Sequence, residues 1–196
     1  MRIVHADDRL VVIDKPAGLL SVPGRTEPDC ASARVQALYP DALIVHRLDQ
    51  ATSGLLLFAR GAQAQRELSA DFAERRVDKV YIAVVAGRLE GAGLIDLPLA
   101  ADWPNRPRQQ VDAAHGKPSQ TRWQALSHEA GTTRVRLEPL TGRSHQLRVH
   151  LATLGHAILG DALYAAPDIA GASPRLLLHA SELQIGNHRF VCPPEF

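Results

Sequence analysis

Asp49 is singled out by its neighbours. It stands between Arg47 and the small-residue segment Ala51-Thr52-Ser53-Gly54, just before the most hydrophobic stretch of the chain, residues 55–59. A carboxylate at such a core edge has two readings. It is either a turn aspartate bonding the amides of Thr52 or Ser53, or a nucleophile or base in a cleft. The second requires a permanent cation nearby, because a desolvated carboxylate without one takes up a proton. Arg148 is a candidate: it follows Leu147 and lies three residues after His145, beside an apolar helical stripe. From there it either reaches inward or stays outside with only its stem buried. Tyr81 is equally open, as a core tyrosine with a satisfied hydroxyl or as a ring that stacks on a ligand.

Other chemistries fail on spacing. Gly142-Arg143-Ser144-His145-Gln146 has glutamine where a nucleophile elbow needs its second glycine. Cys30 and Cys192 form no CxxC pair and read as buried or incidental thiols. His145, His150 and His156 are five and six apart, whereas two ligands on one helical face want a spacing of four. No metal site is expected.

The elements that must position these residues can be read from periodicity. RIVHADDRLVVIDKPAG reads as a hairpin turning at Asp7-Asp8, and residues 30–38 as a short helix stopped before Pro40. A strand is expected over 43–45 and a buried one over 55–59. The helix over 61–76 presents Ala64, Leu68 and Phe72 on one face. Residues 80–85 are apolar on both alternating sets, as in a strand covered on both sides. Thr133, Val135 and Leu137 alternate with Arg134, Arg136 and Glu138, giving one buried face and one mainly basic wet face. Residues 98–118 carry four prolines among Trp103, Arg106, Arg108 and Lys117, which predicts an exposed basic loop. Ser144 is placed to cap a helix with a Leu147, Leu151 and Leu154 stripe, ended by Gly155. A last hairpin turns near Gly186-Asn187. Strands outnumber helices without regular alternation, so the expected class is α+β with a mostly antiparallel mixed sheet flanked by helices.

The 196 residues carry 22 Lys+Arg against 21 Asp+Glu, a net charge of +1 that makes any basic surface local. One compact domain over 1–196 is expected, since a chain of this length buries roughly 70% of its unfolded surface. The longest apolar run falls far short of the roughly 20 residues of a membrane span. The start MRIVHADD reaches a charged turn before any hydrophobic stretch develops. A cytoplasmic protein without membrane attachment follows as the expectation.

The string HRLDQATSGLLLFAR at 46–60 closely resembles the catalytic motif of the RluA-type pseudouridine synthases, HRLDxxTSGLLxxA. KPAGLLSVPGR at 15–25, KVYIAVVAG at 79–87 and LTGRSHQLRVHLATLGHAILGDALYA at 140–165 resemble further motifs of that family, in its order. The resemblance spans nearly the whole chain. It implies an isomerase that breaks the N-glycosidic bond of a uridine in RNA, turns the uracil and joins its C5 to the same sugar carbon. Such a reaction has no second substrate, and no cofactor is expected.

Carried over by the resemblance, Asp49 is the essential carboxylate, as nucleophile or as base at the ribose. Arg148 pairs with it, Tyr81 stacks on the target base, and Arg47 fills the space that the extruded nucleotide leaves. Arg106, Arg108, Lys117, Arg134, Arg136 and Arg143 could contact phosphates. The chain looks like the compact subgroup that lacks an N-terminal S4 domain. The implied partners are tRNA, at anticodon stem-loop position 32, and 23S rRNA, at position 746, with no DNA partner and a monomeric state. Two rivals remain at this stage, an RNA-binding module without turnover and a nucleoside-cleaving hydrolase, although no second carboxylate motif accompanies Asp49.

Overall fold

The computed structural model describes residues 1–196. In chain order the elements are β1 (Arg2–Ala6), β2 (Leu10–Lys15), α1 (Ala31–Gln36), β3 (Ala42–Ile44), β4 (Ser53–Arg60), α2 (Gly61–Ala73), β5 (Val77–Ala86) and β6 (Ala92–Asp96). They continue with β7 (Leu99–Ala101), β8 (Gln109–Val111), β9 (Gln120–Glu129), β10 (Thr132–Pro139), α3 (Gln146–Thr153), α4 (Pro167–Gly171), β11 (Leu178–Ile185) and β12 (His188–Val191). The chain groups into two compact units. The first is Met1–Lys79 with His179–Glu195, and the second Val80–Leu178 with Phe196.

In the first unit β4 is the organising strand. Residues 53–59 are buried without interruption, because β2 pairs antiparallel along one edge while β3 and β11 share the other, β11 in parallel. Leu55, Leu57 and Ala59 pack with Leu10, Val12, Leu183 and Ile185 and with Ala64 and Leu68 of α2. The helical face read from the sequence is therefore the packed face. The β1–β2 turn forms because the Asp7 carboxylate accepts the amides of Arg9 (2.7 Å) and Leu10 (2.8 Å). Gly54 has φ +108°, and a Cβ there would overlap the backbone of Ala180. Only glycine lets β11 lie this close.

In the second unit the strand order is β5-β10-β9-β6, all antiparallel. The alternation on β10 is as read: Thr133, Val135 and Leu137 are buried. Two expectations are corrected. Residues 98–118 are not one irregular loop, since β7 and β8 pair, Leu99 with Val111, Ala100 with Gln110 and Ala101 with Gln109. The prolines are tolerated because none lies within either of these strands, and Pro104 sits in the first turn of a 3-10 helix, Trp103–Asn105.

The second correction concerns α3, which is not capped by Ser144. His145 occupies the N-cap with φ +53° and no side-chain cap bond. Gln146 anchors the helix start instead, its Oε1 accepting the Arg143 amide (3.0 Å) and the Thr141 hydroxyl (2.7 Å). The helix is also buried all round from Gln146 to Leu151, so its environment is wider than the leucine stripe indicates.

Candidate active site

Asp49 lies half-buried on the connection between β3 and β4. A backbone turn bond runs from the Thr52 amide to the carbonyl of Asp49 (3.1 Å). Both flanks of the residue are tied down. Leu48 exchanges two bonds with Ser21 Oγ, accepting at its carbonyl (2.7 Å) and donating from its amide (3.1 Å). The Gln50 carbonyl accepts the Gly18 amide (2.8 Å) and Lys15 Nζ (3.2 Å). Lys15 has no exposure and also donates to the carbonyls of Leu19 (2.7 Å) and Pro16 (3.1 Å). A buried ammonium spent on three carbonyls stiffens two loops at once, which gives the KPAGLLS segment its purpose.

His46 anchors the same loop to β4. Its Nε2 accepts the Leu57 amide (3.0 Å), and its ring stacks on Phe72 with centroids 4.4 Å apart. Burial, assisted by the charge of Lys79, holds the imidazole neutral and lowers its pKa to about 3. Because the folded value lies below the unfolded one, near 6.5, this stabilisation is complete above pH 6.5 and is lost as pH falls toward 3. With partial solvent access to the ring discounted, the loss should reach roughly 2–4 kcal/mol. Denaturant melts between pH 7 and 4 should show it, with a flatter dependence for His46→Gln. Equal slopes would mean that His46 titrates normally.

In the second unit, Tyr81 pairs with Leu137 across β5 and β10. Cross-strand partners share a face, and Thr121, on that same face of β9, bonds the α3 residues Gln146 (3.0 Å) and His150 (2.9 Å). Tyr81 therefore stands on the α3 side of the sheet. Arg148, on α3, is 4% exposed, which excludes the exposed-arginine reading. It grips Asp161 with two bonds, Nε to Oδ2 (2.8 Å) and Nη2 to Oδ1 (2.6 Å). Asp161 also accepts the amides of Leu163 (3.0 Å) and Tyr164 (3.2 Å).

Asp161 was missed by the sequence reading. The available signal was a lone carboxylate in the apolar run at 157–163, after a Gly160 whose Cβ would overlap the Arg175 carbonyl. The guanidinium of Arg148 lies 5.0 Å from the Tyr164 ring centroid, and Tyr164 Oη bonds His145 Nδ1 (2.6 Å) while accepting the Gln109 amide (2.8 Å).

Of the proposed phosphate contacts, Arg47, Arg106, Arg108, Lys117 and Arg143 are exposed. Arg134 and Arg136 pair with Val84 and Ile82, on the face of the sheet away from Tyr81. Arg136 is in an ion pair with Glu138, and Arg134 donates to the Phe196 carbonyl. The two thiols are buried. Cys30 Sγ accepts the Ala33 amide at the start of α1, and burial with the Asp14 charge pushes Cys192 up to about 11. Asp14, His179 and Cys192 bring potential ligand atoms within 4.8 Å of one another. Arg2, however, donates to Sγ of Cys192 (3.3 Å) and to Asp14 (3.4 Å), and both ring nitrogens of His179 are hydrogen-bonded. That donor set is arranged around a guanidinium. No helix is long and apolar enough to cross a membrane.

The α+β fold, a mixed sheet with few helices, matches a known class. Residues 9–153 fit the family model of RNA pseudouridylate synthases, and the chain belongs to that family. It is an RNA pseudouridine synthase, an isomerase. Among its relatives is the Dual-specificity RNA pseudouridine synthase RluA of Escherichia coli strain K12, 52% identical over 204 residues, covering 99% of this chain and 93% of that one. The protein of the same name from Yersinia pestis is 50% identical over 200 residues, covering 100% and 97%. Of solved structures, Human RNA Pseudouridylate Synthase Domain Containing 1 aligns with a TM-score of 0.85 at 29% identity, covering 99% of this chain and 83% of that one.

Proposed function

We propose that this chain is a dual-substrate enzyme that isomerises a uridine in the anticodon stem-loop of tRNA and one in a loop of 23S rRNA, with Asp49, Tyr81 and Arg148 as its catalytic residues. The observation that carries the reading is the Asp49 loop. Lys15 and Gly18 bond the Gln50 carbonyl, Ser21 bonds Leu48 and His46 bonds the Leu57 amide, so the backbone on both sides of Asp49 is fixed from two directions. Catalytic carboxylates need such preorganisation, whereas a merely structural turn does not.

The chemistry balances within one nucleotide. The N1–C1′ bond breaks, the uracil turns, a C5–C1′ bond forms, the C5 proton leaves, and N1 ends protonated. Ionised Asp49 acts at the ribose, by attack on the sugar carbon or by removal of a ribose proton. The ring of Tyr81 stacks on the uracil, and its hydroxyl assists removal of the C5 proton to solvent by hydrogen bonding. Arg148, fixed by two bonds to Asp161, presents a charge that cannot swing away. A uridine in a stacked loop must first be extruded, at a cost of a few kcal/mol. Exposed Arg47, two residues from Asp49, takes its place.

The test is incubation of purified protein with a short anticodon stem-loop in excess chelator, without nucleotide or reductant. The expected result is pseudouridine at unchanged RNA mass. Release of free uracil would make the protein a hydrolase, and binding without conversion would make it an RNA-binding module. Conversion only of the 23S rRNA loop would remove the tRNA half of the proposal.

A further inference from the structure

We propose that Trp103 is a stacking platform for an unpaired base of the RNA, at a nucleotide other than the target uridine; this rests on the function proposed above. Trp103 is 69% exposed, an expensive placement for an indole, although the guanidinium of Arg106 covers one ring face at 3.3 Å from its centroid. The opposite face is left for a partner. A loose loop tip would be a poor platform, but this one is stiff. Asn105 Nδ2 donates to both oxygens of the Asp102 carboxylate (3.1 and 3.0 Å), the Asn105 amide bonds the Asp102 carbonyl (3.1 Å), and the Asp102 amide bonds the Arg108 carbonyl (2.9 Å).

The loop is also bonded to the catalytic arginine's surroundings. The Gln109 amide donates to Tyr164 Oη, and the Tyr164 ring lies 5.5 Å from the Arg108 guanidinium and 5.0 Å from that of Arg148. The Trp103 loop is thus joined through Tyr164 to the surroundings of Arg148 within one unit. Charge and chemistry select the occupant. Exposed Arg106, Arg108, Lys117 and Arg143 lie in the same unit and attract a phosphate backbone. A flat open ring face beside them suits a nucleobase, which every sequence can supply only where it is unstacked.

The experiment uses the whole chain and the anticodon stem-loop. Trp123→Phe leaves Trp103 as the sole indole of two, and its fluorescence should be quenched on RNA binding. In the wild-type background, Trp103→Ala should weaken binding and raise KM by roughly 5- to 150-fold with a smaller change in kcat, and Trp103→Phe should recover most of it. Abasic replacement of the contacted loop nucleotide should weaken the wild type but not Trp103→Ala. Unquenched fluorescence with bound RNA, or Trp103→Ala binding within twofold of wild type, overturns the proposal. A failure of the underlying function would instead show in the wild type, as no conversion.

Discussion

Asp49→Asn should bind the anticodon stem-loop with nearly wild-type affinity and form pseudouridine roughly a million-fold more slowly, the scale for loss of a nucleophile that no other group replaces. Asparagine keeps the shape of the side chain and one acceptor oxygen while it removes the negative charge. The loop should not collapse, because its backbone is held through Leu48, Gln50 and His46. Affinity then separates binding from chemistry, and a melting curve confirms that the variant is folded. Asp49→Ala belongs beside it, since deamidation of asparagine would regenerate traces of the wild type. If both variants are folded, bind the RNA and turn over within about tenfold of wild type, Asp49 is not the catalytic group. A drop of only about a hundredfold would favour an orienting carboxylate over a nucleophile or obligatory base.

The second large effect is on stability. Asp161→Asn should lower the unfolding free energy by roughly 3–5 kcal/mol, because it leaves the buried Arg148 charge without the carboxylate that grips it. The side chains of the pair are 5% and 1% exposed, so water cannot take over the lost interaction. For a chain of this size that corresponds to a fall in Tm of roughly 10 °C. The double variant Arg148→Met with Asp161→Asn should regain part of the loss, since the guanidinium that lost the Asp161 carboxylate is gone and the amide oxygen of the new side chain still accepts from the Leu163 and Tyr164 amides. It should nevertheless be inactive. Recovery of stability without recovery of turnover assigns Arg148 to the chemistry. A loss below about 1 kcal/mol in the single variant would mean that the pair contributes little.

What could be read from the chain was what short-range periodicity encodes. The β1–β2 hairpin follows from Asp7 and its two flanking apolar runs, the α2 face from Ala64, Leu68 and Phe72, and the last hairpin from Gly186-Asn187, because each is decided by residues within a few positions of one another. The β7–β8 pair escaped because two three-residue strands are too short to show alternation, and prolines around them read as breaks. Family membership was legible for a different reason: the motif strings are long, and their order along the chain is itself information.

The sequence by itself determined the class of chemistry, the residues to suspect and the alternation that separates Arg134 and Arg136 from Leu137. Only the tertiary structure decided which side of that alternation faces α3 and Tyr81, since periodicity divides a strand into two faces without saying what packs on either. It also decided the fate of Arg148, whose spacing allowed an exposed or an inward guanidinium. One partner that holds it inward is Asp161, 13 residues away, and a buried charge is held by whatever the fold brings to it, not only by its neighbours in sequence.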